Sequence, residues 1–112
     1  SPLDYDGIYA LDVLEHITPE NEHQFMMNIY NSLSAHGVLI VGIPSLNSQQ
    51  YASPLSKQGH VNCKSQKQLI SLLRNFFINF FSFSLNDKVL HTGFSELSHY
   101  FLCVCCQKVK IV

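Results

Sequence analysis

Tyr5-Asp6-Gly7-Ile8-Tyr9-Ala10-Leu11-Asp12-Val13-Leu14-Glu15-His16-Ile17 runs from a short apolar strand straight into two acids and a histidine. A helical stretch follows, and then Gly37-Val38-Leu39-Ile40-Val41-Gly42-Ile43-Pro44, an apolar run of the kind expected of a sheet strand covered on both faces. Strand, helix, strand in this order predicts half of an open α/β sheet. Ligands of such sheets lie beyond the carboxyl ends of the strands, so Leu11 to His16 are expected at the ligand edge.

The chain has 112 residues and no internal repeat, which allows one small domain with a real core. At 46% hydrophobic, 12% aromatic and 13% charged, it is too apolar for disorder and too broken by polar residues for a membrane span. The net charge is −1 and the seven Lys and Arg are scattered, so the basic stripe of a nucleic-acid binder is missing and a small-molecule partner is favoured. No secretory signal can be read at Ser1-Pro2. Cys103, Cys105 and Cys106 crowd together on a strand, where successive residues face opposite sides, and no Cys-x-x-Cys knuckle is present. With Cys63 they read as small core residues of a reduced, cytoplasmic protein.

Gly7 to Leu11 is the first expected strand. Thr18 as N-cap and Pro19 at the first helical position open a helix, with Glu20 and Glu22 suited to its positive end. Phe25, Met26, Ile29, Tyr30 and Leu33 give it one apolar stripe, and Gly37 is expected to supply a left-handed stop after Ala35-His36. Val38 to Ile43 is the second strand. Residues 44–64, with Pro44, Pro54 and Gly59 among polar residues, read as a long loop of the sort that serves as a lid. Ser65-Gln66-Lys67-Gln68 matches a capping box and opens a second helix with Leu69, Ile70, Leu73 and Phe76 on its apolar face. Phe77 to Leu85 is a strongly aromatic strand, Asn86-Asp87 a turn, and His99 to Gln107 a final strand that is apolar on both faces and therefore central. The expectation is about four strands and two main helices, with the last two strands antiparallel because no helix joins them.

On these residues the chain resembles the C-terminal half of a class I S-adenosylmethionine-dependent methyltransferase, from the fourth strand to the seventh. The pattern is a strand like YDGIYALDVLEHI, a helix, GVLIVGIP, a variable loop, a histidine and helix such as His60 to Leu73, an aromatic strand and a returning antiparallel strand. Within that family the spacing Asp12-x-x-Glu15-His16 is similar to ubiquinone-biosynthesis O-methyltransferases and to small-RNA 2′-O-methyltransferases. The resemblance implies a partial Rossmann-like methyltransferase sheet, with residues 1–112 as one partial domain. It also implies S-adenosylmethionine as cofactor, Ala10, Leu11 and Asp12 along its site, and methyl transfer to an acceptor that the sequence does not name. The family's glycine-rich turn is missing, since no two of Gly7, Gly37, Gly42, Gly59 and Gly93 have Gly-x-Gly spacing. These residues alone are therefore expected to bind the cofactor weakly or not at all.

Glu15 or His16 is the candidate general base for an acceptor that must be deprotonated. Asp12, Glu15 and His16 stand at i, i+3 and i+4, so a helical turn would bring them to one face, and His60 could close over them from the loop. Two carboxylates and two imidazoles suit zinc or manganese, an ion that would orient an acceptor hydroxyl. The metal-using families carry Glu where this chain has Asp12. Two other classes fit the same sequence: a non-catalytic, degenerate methyltransferase-like module used for assembly, and an unrelated open-sheet binding domain. If the spatial order follows the family, the strand Gly7 to Leu11 keeps an unpaired edge that recruits a second copy or a complementary chain.

Overall fold

The apolar runs become strands in a computed structural model that describes residues 4–86, 89–94 and 97–111. β1 (Tyr5–Leu11), β2 (Leu33–Pro44), β3 (Phe77–Asn86), β4 (Val89–His91) and β5 (Tyr100–Lys108) form one sheet in the order β1-β2-β5-β3-β4. β1 and β2 run parallel, joined by α1 (Pro19–Ser32), whereas β5 is antiparallel to both of its neighbours, β2 and β3. The architecture is α/β with a mixed sheet. It has one strand more than expected, because Val89–His91 folds back onto Ser84–Asn86 as a short β4. Asn86 ends β3 at the expected turn, and Asp87 lies outside the described residues.

α1 starts where the sequence places it, but the Thr18 hydroxyl caps no backbone amide and accepts instead from the Asn21 side-chain amide at 3.0 Å. The helix stops at Ser32, short of the expected His36, because Leu33 is drawn into the core at the start of β2. Gly37 is then a strand residue with no left-handed φ. Its small size serves close packing: a Cβ there would stand 2.5 Å from the Leu33 side chain and 3.0 Å from the Tyr5 carbonyl oxygen. Tyr5 pairs with Leu33 and Gly7 with Val38, so the residues between bulge outward, and the Ser34 hydroxyl donates to the Asp6 carboxylate at 2.9 Å.

The last carbonyls of a helix find no partner within it. Lys108 from β5 supplies one, its Nζ donating to the carbonyls of Tyr30 at 3.0 Å and Leu33 at 2.6 Å while lying 4.5 Å from the Tyr30 ring centroid. The Tyr30 hydroxyl donates to the Val109 carbonyl. The second helix, here α3 (Gln66–Arg74), has its capping box complete: Ser65 Oγ accepts from the Gln68 amide, and Gln68 Oε1 accepts from the Ser65 amide at 2.9 Å. Residues 44–64 are not a bare loop. They hold a 3-10 turn over Leu46–Tyr51 and a short α2 (Pro54–Gly59), each opened by a serine hydroxyl, Ser45 or Ser53, that accepts from the amide three residues on.

Met26 and Ile29 of α1 and Leu69 and Leu73 of α3 pack against Leu39, Val41, Ile43, Phe101, Cys103 and Cys105. Leu39 pairs with Cys105, Val41 with Cys103 and Ile43 with Phe101, so these strand residues share one face, and both helices cover that face. β2 is thus helix-covered on one face, where coverage of both was expected. Cys63 is a half-buried loop thiol outside this core, and all four cysteines are free. On the opposite face no helix of the described residues covers β3, where Phe81 is 57% and Phe83 39% exposed. Ser82 and Ser84 take the covered side, where Gln66 Nε2 donates to Ser82 Oγ at 2.8 Å. None of the described helices is long and apolar enough to cross a membrane.

Lys108→Met removes both hydrogen bonds to the end of α1 while keeping the aliphatic stem. A loss of about 1–3 kcal/mol is expected, read in urea as a lower unfolding midpoint with an unchanged slope.

Candidate functional site

The site begins where β1 leaves the sheet. The Asp12 amide still donates to the Gly42 carbonyl at 3.0 Å, and Asp12 then takes a left-handed φ of 58°, a conformation that aspartate tolerates better than most residues. The chain enters a 3-10 turn over Leu14–His16, in which Leu14 is buried in the core and Glu15 is carried into the interior with it. Asp12 therefore precedes the turn, and the helical spacing that would align it with Glu15 and His16 is not realised. The three groups brought together are Glu15, His16 and His60, whose donor atoms lie within 4.8 Å of one another. Asp12 stays exposed at the end of β1.

His60 is delivered by main-chain bonds. The amides of Val61 and Asn62 both donate to the Glu15 carbonyl, each at 2.9 Å. The excursion that carries His60 is closed at its base, where Ser45 bridges to Lys64 and the Leu46 amide donates to the Lys64 carbonyl at 2.9 Å. Lys64 Nζ in turn lies 3.0 Å from the Glu22 carboxylate, both side chains being largely buried, and Asn62 Nδ2 donates to the same carboxylate at 2.8 Å. The His16 and His60 rings meet edge to face with centroids 5.0 Å apart. His16 Nδ1 bonds the Gly59 carbonyl at 2.7 Å, and His60 Nδ1 bonds Gln49 Oε1 at 2.8 Å.

Glu15 is fully buried, and among the described residues neither of its carboxylate oxygens has a hydrogen-bond partner. The nearest cationic candidate is His16, with Nε2 4.0 Å from Oε2. Burying an ionised carboxylate without a partner is strongly unfavourable. Burial accordingly pushes the Glu15 carboxyl above its ordinary value of 4.5; the nearby amide of its own backbone offsets part of this, Asp12 adds to it, and the two imidazoles oppose it. A divalent cation fits these residues, since two imidazoles and one carboxylate suit zinc, manganese or ferrous iron and leave positions open for an exchangeable ligand. With bonds of about 2.1 Å, two donors on one ion stand at most about 4.2 Å apart, so the three groups need only a small inward movement.

The expected cofactor wall lies on the sheet side of this cluster. Ala10 is buried, and Leu11 and Asp12 are exposed at the carboxyl end of β1. Tyr100 belongs here too and carries no signal in the sequence beyond a place at the start of a strand. Burial first, and then the bond and charge of the Asp12 carboxylate, push its hydroxyl well above the usual tyrosine range. Gly42 makes room for it: a Cβ at that position would collide with the Tyr100 hydroxyl and stand 2.8 Å from the Leu11 side chain. Gln49 is the other residue that sequence reasoning passed over, as one polar residue among many in the loop.

A scan against protein-family models and a search of curated proteins found nothing that matches the chain.

The raised pKa of Glu15 means that the folded chain holds this proton more tightly than the unfolded one. The stability it contributes is complete below about pH 4.5 and is lost as pH rises through the folded-state value. In thermal unfolding without divalent ions, Glu15→Gln should match wild type near pH 4 and exceed it increasingly toward neutral pH. An added ion bound at the site should reverse that order.

Proposed function

We propose that the chain is part of an S-adenosylmethionine-dependent methyltransferase that acts on a hydroxyl-bearing small molecule beside a divalent ion held by Glu15, His16 and His60. The observation that carries this is the buried Glu15 carboxylate, without a hydrogen-bond partner, next to two imidazoles one turn beyond the carboxyl end of β1. Such a position is where open α/β sheets bind ligands. The succession β1, α1, β2, α3, β3 and a last strand returning antiparallel follows the pattern of the resemblance, which adds support for the family.

In this reading Ala10, Leu11 and Asp12 line the methionine end of the cofactor, and Tyr100 holds the Asp12 carboxylate in place. Glu15, His16 and His60 bind the ion, which supplies Lewis acidity that lowers the pKa of a hydroxyl. Transfer forms an oxygen–carbon bond as the sulfonium–carbon bond breaks, the sulfur leaving as a neutral thioether and the hydroxyl proton passing to solvent. The chain contributes chiefly by alignment, which is where most of the acceleration of such a displacement arises. Glu15 and His16, the candidate catalytic residues, act as a joint holder of the ion in preference to either being a free base.

Metal analysis of the full-length protein, with His16→Ala and His60→Ala beside it, tests the reading. Each substitution should lower ion affinity and methyl transfer by about 10–100-fold or more. Methyl transfer that survives both substitutions and exhaustive chelation would overturn it.

The open edge of β1 favours a second reading, a non-catalytic module used in assembly. Among the described residues β1 has a strand neighbour on one side only, and an open groove of about 530 Å³ lined by Tyr5, Ile8, Phe25 and Ile29 runs beside it. An unpaired edge flanked by apolar surface invites strand pairing with a second copy or a complementary chain. Sedimentation should show self-association of the isolated chain at high concentration. A monomer throughout would count against pairing through β1.

A further inference from the structure

Both imidazoles of the cluster are gripped through the same ring atom. His16 Nδ1 lies 2.7 Å from the Gly59 carbonyl oxygen, and His60 Nδ1 lies 2.8 Å from Gln49 Oε1. Carbonyl and amide oxygens can only accept, so each neutral ring carries its proton on Nδ1 and keeps its lone pair on Nε2, the atom left to ligate. For His16 the acceptor is main chain, which no side-chain substitution removes. For His60 it is one side chain, borne on the 3-10 turn Leu46–Tyr51, which Ala52 and Ser53 separate from α2 and its Gly59 carbonyl.

That turn has a firm base. Ser45 ends the sheet side of the excursion, its hydroxyl accepting from the Ser48 amide at 3.1 Å and donating to the Ser98 carbonyl at 2.8 Å. A path of bonded groups thus runs from the tip of β2 through Ser45 and the turn to Gln49, and from Gln49 to His60. Such an oxygen behind a ligating imidazole fixes its tautomer and ring orientation and raises its basicity. Without an acceptor the proton distributes over both nitrogens and the ring turns freely, so part of the population cannot ligate.

We propose that Gln49 is a positioning residue for the ion centre, fixing His60 as the Nδ1–H tautomer. This rests on Glu15, His16 and His60 being a metal site. Gln49 touches neither the ion nor an acceptor; it acts through His60. A purely structural role, pinning the turn to the rest of the fold, would be met by any side chain that fills the space and would leave the tautomer unchanged.

The test is titration of the chain with Zn²⁺ and with Co²⁺, in wild type, Gln49→Leu and Gln49→Glu, together with nitrogen-15 imidazole spectra of the ion-free proteins. Gln49→Leu should weaken ion binding by about 10–100-fold, and Gln49→Glu, which keeps an acceptor oxygen, should restore it to within about threefold of wild type or better. The His60 spectrum should report Nδ1–H in wild type and a mixture in Gln49→Leu. If Gln49→Leu fails to fold, restoration by Gln49→Glu and the wild-type spectrum decide the matter. Wild-type affinity in a folded Gln49→Leu chain, or a His60 proton on Nε2 in wild type, overturns the proposal while leaving the metal site standing. Failure of wild type to bind either ion overturns the metal site and this proposal with it.

Discussion

β5 lies between β2 and β3 and is hydrogen-bonded antiparallel to both, and the remainder of the molecule takes its position from that pairing. Because β5 returns against its neighbours, its first residue meets the carboxyl ends of β2 and β3: Tyr100 pairs with Pro44 on one side and Leu85 on the other. β1, parallel to β2 with Leu11 opposite Gly42, ends at the same edge. The turn after β1, the Tyr100 hydroxyl and the base of the excursion at Ser45 are therefore gathered at one edge of the sheet. The far end of β5 works in the opposite sense, bringing Lys108 under the last carbonyls of α1 and anchoring that helix to the face it covers.

The cluster at the carboxyl edge of the sheet depends more on main chain than on side chains. Glu15 has two functions at once: its carbonyl receives the amides of Val61 and Asn62, which fixes the strand of loop beside His60, and its carboxylate is the buried, unpartnered group of the cluster. The Gly59 carbonyl holds His16 from the other side. Leu14 drives the arrangement, since burying this leucine in the core forces the adjacent carboxylate inward as well. Hydrophobic burial of one residue thus offsets the desolvation of the next, a conflict that a bound cation would relieve.

The sheet is built for one covered face. Helices α1 and α3 both pack on the side of Leu39, Val41 and Cys103, and the aromatic residues Phe81 and Phe83 of β3 point the other way. In a monomeric protein an apolar surface of this kind is unusual unless something lies against it. The open edge of β1, across β2 and β5 from this surface, is a separate place at which association is physically favoured.

Several elements were legible in the sequence because their causes are local. The start of α1 at Thr18-Pro19, the capping box at Ser65, the central place of a final strand apolar on both faces and the nearness of Glu15 and His16 each follow from residues a few positions apart. The serines that open the 3-10 turn and α2 were equally local signals, obscured by the surrounding polar residues. Tertiary structure decided the rest, for reasons of space and burial that no short window contains. It ended α1 at Ser32 because Leu33 is needed in the core and Gly37 must pass close beneath it. It turned Ser82 and Ser84, not Phe81 and Phe83, toward α3, because the pairing of β3 with β5 sets which residues share the covered face. It also removed Asp12 from the cluster through a left-handed turn and brought in Tyr100, whose partner Asp12 lies far along the chain, and Gln49, whose bond to His60 forms only once the 3-10 turn and α2 have folded the excursion.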